Sequence, residues 1–113
     1  MSEFRMDRER WRRLSFYEQM GNVASEVGRA IAAQRSGRLE RVPGAISRAL
    51  DLLDASIEQL TDERSHRLRE VLRARDEFCR LFYDGTFDED ADNIERYFMQ
   101  FALVARKQEL DSR

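Results

Sequence analysis

The side chains that most often carry catalysis are scarce in this chain: there is one histidine, His66, and one cysteine, Cys79, with no glycine-rich phosphate loop and no nucleophile motif. His66 follows Glu63 at the Glu-x-x-His spacing by which carboxylate-bridged di-iron bundles hold metal. Such a centre needs a second copy of the motif and two further glutamates facing the core. A single motif in the first turn of a helix instead predicts a solvated imidazole and no metal ligand. Helical ribonucleases of the HEPN type place an arginine just over one helical turn before their histidine, where this chain has Leu60, Thr61 and Asp62.

Carboxylates offer the remaining enzymatic reading. Asp51 and Asp54 lie one turn apart, and Asp88, Glu89, Asp90, Asp92 and Glu95 form a second acidic group. Hard oxygen ligands on successive turns are what a magnesium-bound triphosphate requires. The alternative function is therefore a magnesium-dependent hydrolase similar to the all-helical nucleotide pyrophosphatases. The paired glutamate motifs of those enzymes are missing, and acids beside a helix start are already accounted for by the helix dipole. Shared metal binding would require Asp51 and Asp54 to converge with carboxylates of another helix.

Arginine supplies nineteen of the 20 basic residues against 22 carboxylates, and Lys107 is the one lysine. Guanidinium forks form bidentate pairs with carboxylate and phosphate that ammonium groups cannot. Glu26, Arg29, Arg48, Asp51, Asp54 and Arg75 fall on or beside apolar stripes, where buried charges must be paired. They predict an interhelical polar network, which serves either as a structural ion-pair cluster or as a pocket gripping an anionic ligand. A second set, Arg64, Arg67, Arg69 and Arg73, with Trp11 or Tyr17 for stacking, predicts a nucleic-acid face. Arg5, Arg8, Arg10, Arg12 and Arg13 of the N-terminal arm add to it. Acidic residues interleave with the helix arginines, so solvated i to i+4 pairing competes with that reading. Residues 1–83 carry net +2 and residues 84–113 net −4, giving −2 for the whole at a pI near 5.5. A globally acidic protein is a poor bulk binder of nucleic acid, which leaves only a local basic face for that role.

Helix-spaced apolar residues position these groups. A short arm, residues 1–14, carries Phe4, Met6, Trp11 and Leu14 and predicts a helix from about Asp7 to Arg13. The bundle spans residues 15–110. Ser15-Phe16-Tyr17-Glu18 is a capping box that starts the first long helix, and Gly37 stops it. Its row Gly21, Ala24, Gly28 and Ala32 predicts close approach to a neighbouring helix. Pro43 suits the first turn of the second helix, whose seam runs from Ile46 to Leu60 before a break at Thr61-Asp62. A third helix is predicted over about Glu63–Tyr83, burying Leu68, Val71, Leu72, Phe78, Cys79 and Phe82, and Asp84-Gly85 ends it. The fourth carries Ile94, Tyr97, Phe98, Phe101, Ala102 and Ala105, with its cap inside the acidic segment ending at Asp92. Connections this short make consecutive helices antiparallel, giving an all-α, up-down-up-down four-helix bundle.

The runs LSFYEQMGNVASEVGRAI, RALDLLDASI and YFMQFALVAR resemble an uncharacterised family of small microbial four-helix-bundle proteins, over roughly residues 11–107. In architecture the chain is similar to the proteins encoded in 23S rRNA intervening sequences and to the accessory variability determinant of diversity-generating retroelements. That resemblance implies a basic, oligomeric bundle that binds nucleic acid alongside a reverse transcriptase. This chain departs from it by being acidic, and no site residue follows from it. With no cofactor implied, the sequence predicts a non-enzymatic interaction or adaptor module that self-associates, with itself, another protein or nucleic acid as partner. The aromatic residues Trp11, Phe87, Phe98 and Phe101 are candidates for an exposed patch. A lone cysteine, the absence of an 18-residue apolar run and an arginine-rich start predict a reduced, cytoplasmic protein with no membrane span.

Overall fold

Ser15 begins the longest-range packing in the molecule with a local reciprocal bond. Its hydroxyl accepts from the Glu18 backbone N–H at 3.1 Å, and the Glu18 carboxylate accepts from the Ser15 N–H at 2.8 Å. The computed structural model describes residues 6–112, so Phe4 and Arg5 of the arm lie outside the described residues. Five helices follow in order: α1 (Arg8–Arg12), α2 (Phe16–Arg35), α3 (Val42–Asp62), α4 (Leu68–Tyr83) and α5 (Phe87–Asp111), with a 3-10 turn at Leu39–Arg41 before α3. Gly37, at φ +76°, closes α2 in the left-handed conformation, and the Arg38 N–H returns to the Ala33 carbonyl. Pro43 sits in the first turn of α3.

The four long helices form an antiparallel bundle. α2 packs most extensively, against α5 on one side and α3 on the other, while α4 closes the ring against α3 and α5. The Gln19–Gln59 contact joins the start of α2 to the end of α3, and the Arg35–Asp92 pair joins the end of α2 to the start of α5, as antiparallel pairing requires. Met20, Val23, Val27 and Ile31 of α2, Leu53 of α3, Phe78 and Leu81 of α4 and Phe98 of α5 are fully buried at the centre. Gly21 is where α5 comes nearest, since a Cβ there would lie 3.3 Å from the Ala102 Cα.

Three expectations change. α3 runs through Thr61-Asp62, and α4 starts at Leu68 rather than Glu63. Between them Arg64 takes φ 51° and the Ser65 N–H bonds back to the Leu60 carbonyl, so a helix-ending turn is made without glycine. On α4 the core stripe is Val71, Ala74, Phe78 and Leu81; Leu72 is exposed and Cys79 half-buried. α5 starts at Phe87, placing Asp88, Glu89 and Asp90 in its first turn beside the positive end of the dipole.

Candidate functional site

The charged network drawn from sequence divides into separate pairs. Glu26, whose side chain is 12% exposed, accepts from Arg29 at 2.6 Å and from Arg48 at 3.0 Å, bridging α2 and α3. Arg75 and Asp54 pair at 2.7 Å across α3 and α4, with side chains 34% and 47% exposed. The hydrogen bond to Asp54 raises the Arg75 guanidinium above its usual value, against the opposing effect of burial. Asp51 makes no ion pair with either group among the described residues. Arg75 is therefore a rim residue rather than a core one, because its long stem carries the charge outward past Ala74.

What the interior holds instead is uncharged. Trp11, 6% exposed, donates its indole N–H to Ser56 Oγ at 3.0 Å, and the Ser56 hydroxyl donates to Gln19 Oε1 at 2.8 Å. Gln19 Nε2 donates to the Trp11 carbonyl at 3.0 Å and to Gln59 Oε1 at 2.8 Å. Gln59 in turn donates to Glu63 at 2.6 Å. Gln19 and Ser56 occupy apolar register positions, one turn after Phe16 and Leu53, and a polar residue in a seam was the signal that could have found them.

Trp11 is thereby removed from the nucleic-acid face: its ring is in the core and cannot stack on a base. Arg67 is also engaged, lying 4.4 Å above the Phe16 ring and 5.3 Å from the Tyr17 ring centroid while bonding the Tyr17 hydroxyl at 3.0 Å. Arg64, Arg69 and Arg73 remain exposed with no ion pair among the described residues. On the arm, Arg12 pairs with Asp62 at 2.7 Å and Arg8 with Glu58 at 3.6 Å, so those charges are partly spent on α3.

The acids do not converge. Asp54 faces Arg75, whereas Asp92 and Glu95 of α5 face Arg35 of α2, and α3 and α5 lie diagonally across the ring. Among the described residues no three Asp, Glu, His or Cys side chains come together as a metal-binding group. Asp51 and Asp54 therefore belong to no such group among the described residues. Cys79 is half-buried, and burial pushes its thiol up while Arg75 opposes that shift.

Two surface features do stand out. Along the outer face of α5, Met99, Leu103 and Leu110 are exposed, Leu103 at 66% and Leu110 at 55%, with Val104 beside them. Phe87 is half-buried against Phe82, and Trp11, Phe98 and Phe101 are buried, so the expected aromatic patch is replaced by this aliphatic one. At the opposite end of α2 lies a cleft of about 770 Å³ lined by Arg29, Arg38, Arg41 and Arg48. Among the described residues no helix is long and apolar enough to cross a membrane. No protein-family model, curated protein or solved structure matches the chain.

Proposed function

We propose that this chain is a non-catalytic helical-bundle interaction module that associates with a second copy of itself through α5. The observation that carries the reading is the row Met99, Leu103 and Leu110, apolar and exposed at helical spacing on the side of α5 turned from the core. Spacings of four and seven residues are those of a coiled-coil seam. Charge favours a second copy laid antiparallel. α5 is acidic from Asp88 to Glu95 and balanced from Arg106 to Asp111, so two copies running in opposite directions keep the acidic starts apart and set Glu95 near Lys107 when Met99 meets Leu103. Light scattering on the purified chain tests the reading: a mass of two or more copies is expected, falling to one copy in Leu103→Glu/Leu110→Glu. A strict monomer at high concentration overturns it.

A second reading, an accessory role in a nucleic-acid-processing complex, is favoured by one specific observation. Arg64, Arg69 and Arg73 are exposed and unpaired among the described residues, and Arg69 and Arg73 share one face of α4. Contacts of this kind weaken steeply with salt as counterions are released. Titration of structured RNA and single-stranded DNA at low and moderate salt, with Arg69→Glu/Arg73→Glu as comparison, decides it. Equal binding by the double variant removes the reading.

A further inference from the structure

Where α2 ends and α3 begins, the chain gathers positive charge around a hollow. Arg29 stands on α2, Arg38 and Arg41 in the connection and Arg48 on α3, all lining one cleft of about 770 Å³. Ala32 lines it at the surface, and the buried Ala33 and Ala45 line it more deeply.

Four guanidinium groups around one space repel one another, and the carboxylates nearby do not cancel them. Glu26 supplies one charge, shared between Arg29 and Arg48. Glu40 reaches Arg41 only at 4.0 Å, and Arg38 makes no ion pair among the described residues. Four positive and two negative groups leave net +2 at the cleft. The start of α3 adds to this rather than offsetting it. It has no side-chain cap and no acidic residue in its first turn, so the positive end of the helix dipole adds to the field beside the cleft.

A Cβ on Gly44 would lie 3.2 Å from Arg48 Nη1, so the absence of a side chain lets Arg48 lie against the first turn of α3. Glu26 takes one N–H each from Arg29 and Arg48, and every guanidinium carries five donors, so further donors of both remain for a ligand.

We propose that this cleft binds a small molecule bearing a phosphomonoester group, the dianion held by Arg38 and Arg41 with the free N–H groups of Arg29 and Arg48. A phosphate dianion matches the net +2, and guanidinium forks bind it bidentately. The volume lies within the range that encloses nucleotide-sized ligands, and the lining alanines accommodate their apolar part. The site is at the far end of α2 from the exposed part of α5, and it stands independently of self-association.

Calorimetric titration of the full chain at low salt with adenosine 5′-monophosphate, and with adenosine as its phosphate-free counterpart, tests the proposal. The nucleotide binds and adenosine does not, and the amide resonances of Gly37 and Gly44 move on binding. Arg38→Gln/Arg41→Gln weakens binding by roughly tenfold or more for each guanidinium removed. Both side chains are exposed, so the double variant keeps its melting temperature and its oligomeric mass. Absence of nucleotide binding at low salt, equal binding of adenosine, or undiminished binding by the double variant overturns the proposal. Binding of RNA at these arginines without binding of the nucleotide overturns it equally.

Discussion

Ser56 is fully buried, and its hydroxyl both accepts from the Trp11 indole and donates to Gln19. Replacing it by alanine leaves a buried donor and a buried acceptor unpaired, and Ser56→Ala loses about 1–3 kcal/mol in urea unfolding. Arg75→Ala, by contrast, removes a pair in which both partners reach water, and it costs less than about 1 kcal/mol. Had Arg75 been interior, the order of the two variants would reverse, so one pair of denaturation curves measures where the polar interior lies. Tyr97 provides a pH handle. Burial, and then the hydrogen bond its hydroxyl donates to Glu70 at 2.6 Å, hold the phenol above its ordinary value. The folded chain therefore keeps a proton that the unfolded chain releases near pH 10, and the resulting stability is whole below that pH and declines as pH rises above it. Comparing unfolding at about pH 9 and about pH 11 should show a smaller decline in Tyr97→Phe than in the wild type.

Three helix boundaries were legible because they are local, the Ser15 box, the Gly37 stop and the first-turn Pro43 each depending on a few neighbouring residues, whereas the turn at Arg64, made without glycine, carried no such signal. Which face turns inward is a different kind of question. α4 carries two adjacent stripes, Leu68, Leu72, Arg75, Cys79 and Phe82, and Val71, Ala74, Phe78 and Leu81. Both have helical spacing, and the fold buries the second, which holds no charge and sets a small alanine where its neighbours approach. Arg75 was misplaced with its stripe, and the Asp54 pair moved to the rim with it. Of the small row on α2, Gly21 makes the close contact expected while Ala32 is exposed, and the two glycines are not equivalent. A Cβ at Gly28 would meet only Glu95 Oε2 at 3.7 Å, an ordinary contact, whereas one at Gly21 presses on the Ala102 backbone at 3.3 Å. Helix propensity favours alanine by up to about 1 kcal/mol. Gly28→Ala should therefore raise the melting temperature, and Gly21→Ala should raise it less or lower it.

At the scale of the molecule, the exposed patch expected among the aromatic residues is formed instead by Met99, Leu103 and Leu110, which lie off the seam assigned to the fourth helix from sequence. The core face of α5 is taken by Ala91, Ile94, Phe98 and Phe101, and no described residue after Phe101 is buried. Ala102 lies opposite Gly21, and antiparallel register then carries the last turn of α5 past Phe16 at the start of α2. In that final stretch Leu103, Val104 and Leu110 are exposed. If a second copy covers it, folding and association are linked by mass action, and the native state gains stability as protein concentration rises. The melting temperature of the wild type should then climb over a hundredfold increase in concentration. Leu103→Glu/Leu110→Glu should melt at one temperature throughout, because both substituted positions are exposed in the single chain and leave its core untouched. A wild-type melting temperature that stays flat across that range would mean that α5 carries its apolar face for a different protein.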